Sequence, residues 1–353
     1  MEHNRTSIKD VATEAGVSIA TVSHVINHTK PVSDELTFKV NAAIEKLNYH
    51  VTPVARSLKS GKTMTIGVII TNINRVFFTQ VLKGIQAEAN KYGYNLLLFD
   101  SNDSFEAEKK FIDILESQWV DGILLDSSAP ADVSEYFRRI SHLGYSEKHI
   151  PVISLERSLA EYGIDSVSVN NRLGGRMATE HLIECGCKNI VHIQGLPDSQ
   201  MVQDRYAGYI DALTRYGIQA PPAFVLSGDF TPLSGYTETK KLLLQNPNFD
   251  GIFAANDQMA IGALKACHEH GRNVPNDVKM VGFDNTFVSS LVSPALTTLD
   301  VPKYQLGQTA VDILIKRISN EYASVIDESM PLNLIQRTST TLSGDKSWDL
   351  FGW

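Results

Sequence analysis

Aromatic and polar side chains recur directly after apolar segments of the chain, where they could bind a small molecule. Carboxylate, amide and guanidinium groups form hydrogen bonds with hydroxyl groups, and aromatic faces stack on rings, so this set suits a polyhydroxylated ring. Each residue also has a plainer interpretation, because an acid after a strand often caps the next helix and an aromatic pair often belongs to the core. The residues with this placement are Phe77, Phe78, Asp126, Glu156, Arg157, Arg205, Phe230, Asn256, Asp257 and Asp284.

A second candidate surface lies near the N-terminus, in the stretch GVSIATVSHVIN at residues 16–27. Its larger apolar residues would share one face of a helix, which leaves Ala20, His24 and Asn27 on the opposite face. Small and hydroxyl side chains let a helix approach the major groove of DNA and bond phosphates or base edges. The pattern indicates DNA binding, although two helices joined by a glycine turn also occur where that face packs against protein.

The composition is that of a globular protein. Of the 353 residues, 43% are hydrophobic and 20% are charged, and the length accommodates roughly two or three domains. The opening MEHNRTSIKD has no apolar run and no stretch of about 18 apolar residues follows, so neither secretion nor a membrane span is expected. Cys185, Cys187 and Cys267 are too few for a disulfide framework, which favours the cytoplasm.

The charge is unevenly distributed along the chain. A net charge of −8 argues against nucleic acid as a partner for the molecule as a whole. Residues 1–62 nevertheless hold eight Lys and Arg against six Asp and Glu. This mildly basic segment predicts that only the N-terminal part approaches phosphate groups.

Three short helices account for the N-terminal segment. Apolar residues at helical spacing predict the first helix over residues 8–15, with Ser7 and Asp10 as a variant of the capping box. Ser18 is placed to cap the second helix. The third helix is predicted over residues 34–47, and the three together predict a helix-turn-helix domain.

Apolar strands alternate with amphipathic helices from residue 64 onward. A first group of strands is TMTIGVII, YNLLLF, DGILLD and PVISL; a second group begins with DSVSVN and continues with NIVHIQG, AFVLSG, DGIFAAN and KMVGFD. The alternation predicts two α/β lobes, each a doubly wound parallel sheet covered by helices. Open sheets of this kind present the carboxyl ends of their strands to a cleft, where a ligand is expected.

The run SIKDVATEAGVSIATVSHVIN, with VARSLK further on, resembles the head of the LacI/GalR family of transcription regulators, and the resemblance continues to about residue 341. It implies an all-α helix-turn-helix head, a hinge helix and an α/β body like that of a periplasmic binding protein. The corresponding boundaries are 1–50 for the DNA-binding head, 51–62 for the hinge, 63–341 for the effector-binding and dimerisation body, and 342–353 for a C-terminal tail.

The resemblance also implies DNA contacts in the head. The family's base contacts fall on Ile19, Ala20 and His24. Its phosphate contacts fall on Ser7, Lys9, Ser18, Thr21, Ser23 and Asn27. Ile19 and Ala20 have little capacity for hydrogen bonds, so the operator sequence stays open.

In the hinge, the family wedges a leucine into the minor groove and kinks the duplex. That leucine matches Leu58, with Arg56 beside it. The usual hinge proline is replaced by Val51, and Pro53 appears two residues later. Because proline is accepted in a first helical turn, the hinge helix would begin at Pro53 and be one turn shorter.

The family's effector contacts fall on Phe77, Phe78, Glu156, Arg205, Phe230, Asn256, Asp257 and Asp284. Asp126 is kept as a candidate effector contact because of its position after a strand alone. Val301 stands where a glutamine is common, and Ser199 and Met201 replace residues that purine-binding members use against their base. These departures favour a sugar or sugar derivative, with a purine or nucleoside as the alternative. Arg157 leaves a phosphorylated or acidic sugar open.

We therefore expect a cytoplasmic, homodimeric regulator, most simply a repressor of a carbohydrate-utilisation operon, that binds a pseudo-palindromic operator under the control of a small effector. A solute receptor and an enzyme are the alternative classes. No G-x-S-x-G, P-loop or G-x-G-x-x-G motif follows a strand, so neither a catalytic residue nor a cofactor is expected. Cys267, His268 and His270 are not expected to bind a metal, because His268 lies off the helical face that the other two share.

Overall fold

The computed structural model describes residues 6–27, 30–49, 62–118, 120–130, 132–145, 148–219, 221–245, 248–321 and 324–348. The chain divides into two compact units, Met1–Thr63 and Met64–Trp353, which we call the head and the body. The expected hinge contacts, Arg56 and Leu58, lie outside the described residues.

The described part of the head contains three helices around a small apolar core. Val11, Val22 and Val40, one from each helix, are completely buried. The stripe of apolar residues in each helix therefore has the role that its spacing predicted. The helices are α1 (Ile8–Ala15), α2 (Ile19–Asn27) and α3 (Asp34–Lys46).

Both predicted caps are present in the head. The Ser7 amide donates to Asp10 Oδ2 at 2.8 Å, and the Asp10 amide donates to Ser7 Oγ at 3.4 Å, which closes a capping box at the start of α1. Ser18 Oγ accepts a hydrogen bond from the Thr21 amide at 3.1 Å at the start of α2. These bonds satisfy amide groups that the first turn of a helix leaves unpaired.

The body alternates strands and helices, as predicted. Its strands are β1 (Thr65–Ile70), β2 (Asn95–Asp100), β3 (Gly122–Asp126), β4 (Gly144–Tyr145), β5 (Lys148–His149), β6 (Val152–Leu155), β7 (Asp165–Val169), β8 (Ile190–Gln194), β9 (Val225–Ser227), β10 (Gly251–Ala254), β11 (Lys279–Asp284), β12 (Thr297–Asp300), β13 (Asp327–Met330) and β14 (Asn333–Ile335). Its α-helices are α4 (Phe77–Lys91), α5 (Phe105–Ser117), α6 (Ser134–Ile140), α7 (Asn171–Glu184), α8 (Gln200–Arg215), α9 (Pro232–Leu244), α10 (Asp257–Glu269), α11 (Val288–Leu291) and α12 (Lys303–Ile318).

Two six-stranded sheets define two lobes. The sheet of the first lobe has the order β13-β7-β6-β3-β1-β2, and the sheet of the second lobe has the order β14-β12-β11-β10-β8-β9. Neighbouring strands of the first sheet are parallel, whereas β14 runs antiparallel to β12 in the second. The prediction of two doubly wound parallel sheets is therefore correct apart from this one edge strand.

The assignment of DSVSVN to the second group of strands is wrong. This segment forms β7, which pairs with β6 in the first sheet, and β13 from near the C-terminus pairs with its other edge. The chain thus crosses between the lobes after β7, after β12 and again between β13 and β14. Local alternation predicts that a strand forms, but the sheet that it joins depends on long-range pairing.

Paired glycines allow helices to cross at close range. A Cβ atom added to Gly84 in α4 would lie 2.1 Å from the Tyr304 carbonyl oxygen of α12, and one added to Gly307 in α12 would lie 2.2 Å from the Val81 carbonyl oxygen of α4. The same reciprocal arrangement joins α7 to α8 and α9 to α10. The backbones at these crossings are too close for any side chain.

The C-terminal tail makes few contacts within its described part. The Asp345 amide donates to the Gln336 carbonyl oxygen at 3.0 Å, but Trp348 is 67% exposed and does not dock on the body. Among residues with described positions, no helix has both the length and the apolarity needed to cross a lipid bilayer.

Substitution of Gly84 by alanine should destabilise the body. Alanine stabilises an isolated helix more than glycine does. At this position, however, its methyl group would meet the Tyr304 carbonyl oxygen. We expect a loss of about 1–3 kcal/mol and a Tm lower by roughly 3–10 °C in thermal unfolding followed by circular dichroism. Gln86→Ala, at an exposed position of the same helix, is the control. A Tm for Gly84→Ala at or above that of the wild type would contradict the close crossing.

Candidate functional site

A cavity of about 300 Å³ lies at the carboxyl ends of the strands, between the two lobes. The first lobe lines it with loops that follow β1, β2, β3 and β6, and the second lobe contributes residues 196–201 and Phe230. This is where the doubly wound topology predicts a ligand, and the volume is at the lower end of the range for small-molecule sites. Its charged lining residues are Arg75, Asp103, Asp126, Glu156, Arg157 and Asp198.

Only part of the predicted effector set reaches this cavity. Asp126, Glu156 and Phe230 line it, as does Arg157. The remaining predicted residues lie behind the lining. They are Phe77, Phe78, Arg205, Asn256, Asp257 and Asp284.

Phe77 and Phe78 have the plainer role that the sequence left open. They occupy the first turn of α4, their rings meet edge to face at 5.3 Å between centroids, and both belong to the main hydrophobic core. Phe78 is only 1% exposed. In this structure neither ring offers a face to the cavity.

Arg205 lies beneath the cavity on α8. Its Nε donates to Asn171 Oδ1 at 2.8 Å, Nη1 donates to the Ala255 carbonyl oxygen, and the guanidinium carbon lies 3.6 Å from the centroid of the Phe283 ring. Nη2 is buried without a hydrogen-bond partner among the described residues and lies 3.8 Å from Asp284 Oδ1. Arg205 therefore provides a buried positive charge that compensates nearby carboxylates.

Asn256 and Asp257 shape the second-lobe side of the cavity. Asn256 caps α10 by accepting from the Met259 amide at 2.9 Å, and its Nδ2 donates to the Phe230 carbonyl oxygen at 3.1 Å. Asp257 Oδ2 accepts from the amide of Thr286 at 2.7 Å, and Oδ1 accepts from the Thr298 hydroxyl. Both side chains are thus engaged in positioning protein groups, as the capping interpretation allowed.

Four carboxyl groups at or near the cavity have raised pKa values: those of Asp126, Glu156, Asp257 and Asp284. Burial, with the nearby charge of Asp126, raises the pKa of Glu156 to about 8. Burial also raises the pKa of Asp284 to about 6 and, with the Asp284 charge, that of Asp257 to about 7. Burial likewise raises the pKa of Asp126, although hydrogen bonds from the Thr71 amide and hydroxyl oppose the shift. Glu156, with the highest of these values, is therefore mostly protonated at neutral pH.

Glu156 stands out within this cluster. Its backbone has φ of +61°, an uncommon value for a non-glycine residue, directly after β6. Its carboxyl group lines the cavity and makes no hydrogen bond with another described residue. It is therefore available to a ligand hydroxyl as donor or acceptor.

Sequence reasoning missed three charged residues of the lining, Arg75, Asp103 and Asp198, and the buried Glu108 beside it. Arg75, in the loop after β1, forms an ion pair with Asp103 and donates from Nη1 to Thr71 Oγ1 at 2.9 Å. Glu108 on α5 is completely buried and accepts from the hydroxyls of Ser127 and Tyr136 at 2.7 Å each. A basic residue shortly after a strand was a signal for Arg75.

Glu108 was missed because it lies on a helix that reads as amphipathic, where a glutamate is normally solvated. In the structure it also accepts from the Ser128 amide, so it holds both serines of the loop after β3 that line the cavity. Burial raises its pKa. The amphipathic pattern could not reveal this, because the partners come from a different loop and from α6.

The head presents part of its predicted DNA surface. Ser18, Ile19 and Ala20 at the start of α2 are exposed, as are Ser7 and Lys9 at α1. Thr21 and His24 are half-buried. Ser23, predicted as a phosphate contact, is instead buried in the head, because its position on α2 turns toward the core. Asn27 is the last residue of α2.

The described residues contain no group of three His, Cys, Asp or Glu side chains that could hold a metal ion. Cys267 is completely buried in the core of the second lobe. Burial raises the pKa of its thiol to about 12, which keeps it protonated.

A small three-helix head and a two-lobed body with a cavity at its strand ends define the architecture of a ligand-responsive DNA-binding protein. Residues 7–51 match the family model described as bacterial regulatory proteins, lacI family, and residues 179–340 match that of the periplasmic binding protein-like domain. The chain belongs to the LacI family of bacterial transcription regulators.

Individual relatives match nearly the whole chain. The ribose operon repressor of Halalkalibacterium halodurans is 36% identical, over 97% of this chain and 99% of that protein. The transcriptional repressor PurR of Escherichia coli O1:K1 / APEC is 34% identical, over 94% of this chain and 96% of that protein. The solved lac repressor dimer bound to operator and the anti-inducer ONPF is 30% identical, with a TM-score of 0.86 over 96% of this chain and 99% of that chain.

The raised pKa of Glu156 predicts a pH-dependent stability. A carboxyl group that is protonated when folded stabilises the protein fully below its unfolded pKa near 4.5, and this contribution is lost as the pH rises through about 8. Glu156→Gln keeps the neutral form at every pH. Its Tm should equal that of the wild type at pH 5 and exceed it by roughly 3 °C or more at pH 8.5.

Thermal unfolding at the two pH values tests this expectation. Glu161→Gln, which removes an exposed carboxylate a few residues away, is the matched control and should change neither Tm. Equal Tm values for Glu156→Gln and the wild type at pH 8.5 would mean that Glu156 ionises freely in the folded protein.

Proposed function

We propose that this chain is a cytoplasmic, dimeric repressor of a carbohydrate-utilisation operon, controlled by a neutral sugar bound between the lobes of the body. The observation that carries the proposal is the cavity at the strand ends, lined by carboxyl groups, in a member of a DNA-binding regulator family. Its domains are a DNA-binding head over residues 1–50, a hinge over 51–62, an effector-binding and dimerisation body over 63–341, and a tail over 342–353.

Hydrogen-bonding groups in the cavity favour a sugar. Asp126 and Glu156 can accept from hydroxyl groups, and the Ser127 and Ser128 loop adds small polar groups beside them. A purine is the second candidate, because one relative is named PurR. Ser199 and Met201, which line the cavity, do not provide the charged or strongly polar groups expected against a base.

The contacts of the two guanidinium groups in the lining disfavour a phosphorylated sugar. Four carboxyl groups and two guanidinium groups line the cavity. Arg157, the residue that left an anionic ligand open, donates to the Ala129 carbonyl oxygen at 3.0 Å and stacks on Phe137 with its guanidinium carbon 4.5 Å from the ring centroid. With Arg157 engaged in this way and Arg75 paired with Asp103, neither guanidinium group of the lining is left to pair with a phosphate group.

For DNA, we propose that Ile19, Ala20 and His24 contact bases and that the exposed hydroxyl groups and Lys9 contact phosphates. A short, exposed first turn of α2 fits a major groove. Leu58 remains the proposed minor-groove wedge, with Arg56 beside it as a further DNA contact. We propose no enzymatic activity for the chain, since these relatives are named as repressors.

A dimer would explain apolar groups on the body surface. Leu98 is 44% exposed on β2, an edge strand of the first sheet whose outer side pairs with no strand in the described part of the chain. Leu233 and Leu244 are 71% and 69% exposed at the two ends of α9 in the second lobe. Exposed apolar side chains in each lobe and an open strand edge are typical of surfaces that associate.

Ala20→Glu should abolish operator binding. The new carboxylate would meet DNA phosphates at an exposed position of α2 and should weaken binding by more than about tenfold. The measurement is fluorescence anisotropy with a duplex selected by the wild-type protein from a random pool. Ala42→Glu makes the same change on the exposed side of α3 and is the control. Equal losses for both variants would contradict a specific role for α2.

A thermal-shift screen tests the proposed effector class. D-ribose, cellobiose, D-ribose 5-phosphate and hypoxanthine are the probes, because a ligand that binds the folded state raises Tm by mass action. We expect a rise of several degrees with a neutral sugar and little change with the sugar phosphate.

Asp126→Asn should lose that rise, since Asp126 lines the cavity, whereas Asp113→Asn at an exposed position of α5 should keep it. A rise with hypoxanthine alone would replace the sugar proposal with the purine alternative.

A further inference from the structure

Phe230 is one of two aromatic residues that line the cavity, the other being Phe105, and its ring is already covered on more than one side. Phe230 has φ of +69° and is 4% exposed. A Cβ atom added to Gly195 would lie 2.2 Å from its Cζ, so the backbone of the second lobe closes one side of the ring. The bond from Asn256 Nδ2 to its carbonyl oxygen holds the backbone there.

Arg75 of the first lobe covers the ring from another side. Its guanidinium carbon lies 4.3 Å from the Phe230 centroid, within the range of a cation–π contact. The ion pair with Asp103 and the bond to Thr71 Oγ1 fix this orientation from the first lobe. Asp103 is itself held by Asn72 Nδ2 at 2.9 Å. These bonds fix the orientation of the Arg75 guanidinium group.

Resting on the function proposed above, we propose that Arg75 is an internal competitor of the effector: its guanidinium group occupies the stacking position on Phe230 and joins the lobes until a ligand ring displaces it. The nearly complete burial of Phe230 leaves no face on which a ring could stack while Arg75 stays. Arg75 is therefore both a specificity-determining residue and a link between ligand binding and lobe closure.

The displaced guanidinium group has a destination in the same cavity. The charge of Arg75 already acts on the carboxyl groups of Asp126, Glu156 and Asp284, and the first two line the cavity with it. Displacement therefore exchanges the contact with Phe230 for contacts with neighbouring carboxyl groups. The positive charge of Arg75 lowers the pKa of these groups and favours their ionised form, so the displaced charge is not left unpaired.

A second contact between the lobes lies beside Arg75. Gln258 at the start of α10 accepts from the Val76 amide at 3.0 Å, and its Nε2 lies 3.5 Å from the Asn74 carbonyl oxygen. Asn74, Arg75 and Val76 are consecutive, so release of Arg75 loosens the segment that makes both contacts. Effector occupancy would thus change the closure of the lobes through one short loop.

The first test uses D-ribose and isothermal titration calorimetry on the full chain. Arg75→Met removes the charge and keeps an unbranched side chain, and should tighten D-ribose binding by about three- to thirtyfold, the equivalent of one cation–π contact. Asp103→Asn, which removes the ion pair that orients Arg75, should tighten D-ribose binding by a smaller factor. Arg138→Met, the same substitution at an exposed position of α6, should bind as the wild type does. Weaker binding by Arg75→Met would overturn the proposal, because it would make Arg75 a direct ligand contact.

The second test needs no ligand and separates this inference from the proposed function. Hydrogen exchange of a peptide that includes Val76 should be faster in ligand-free Arg75→Met than in Arg138→Met by threefold or more, because the lobes lose their link. Unchanged exchange would overturn the proposal. If the wild type bound neither D-ribose nor the other probes, the effector proposal would fail, while the exchange experiment would still decide the role of Arg75.

Discussion

Four carboxyl groups and one guanidinium group are buried where the two lobes of the body meet, and the need to compensate their charges constrains both lobes. Asp126 and Glu156 come from the first lobe, and Asp257, Asp284 and Arg205 come from the second. Burial of unpaired charge is costly, so such groups must be bonded, paired or protonated. Here the carboxyl groups meet the cost by raised pKa values and by hydroxyl and amide donors at neighbouring strand ends. The loops at these strand ends must therefore keep the positions in which the buried charges are compensated.

The path of the chain makes this arrangement sensitive to movement of the lobes. Three short crossings join the sheets, and each enters or leaves close to strand ends. At the second crossing Lys303, which is only 9% exposed, donates from Nζ to the carbonyl oxygens of Asp284, Asn285 and Val301. Short connections with rigid sheets on either side allow the lobes to move as bodies while the sheets stay intact. A ligand that binds at their junction can therefore bias the closure of one lobe on the other.

Within the family, such a bias is useful only if ligand and DNA favour different states of the protein, because coupling is a difference of affinities. The groups that line the cavity belong to the body, whereas the exposed residues of α2 belong to the head. The two binding roles are thus divided between the two units. The body discriminates small molecules by hydrogen bonds and charge, and the head approaches DNA with small side chains on a compact core. In the proposal above, Arg75 is the residue of the body through which binding of a small molecule changes a contact between the lobes.

Much of the architecture could be read from the amino-acid sequence. The caps of Ser7 and Ser18, the apolar stripes of the head and the strands of the body follow from local spacing, because each depends on residues within a few positions. The site was only partly predictable. Asp126, Glu156 and Phe230, predicted from their places after strands, line the cavity, whereas Phe77 and Phe78 fit the same pattern and lie in the core. Glu108 and Arg75 were missed since their roles come from partners on other loops.

The sequence by itself determined the order of helices and strands, the three-helix head and the edge at which a ligand cavity would open. Only the tertiary structure decided that β7 and β13 belong to the first sheet, that Arg205 lies behind the cavity, and that Arg75 covers Phe230. The physical reason is the same in each case. Local periodicity controls which residues form an element, but contacts between residues far apart in the chain decide which elements pair and which side chains share a buried space.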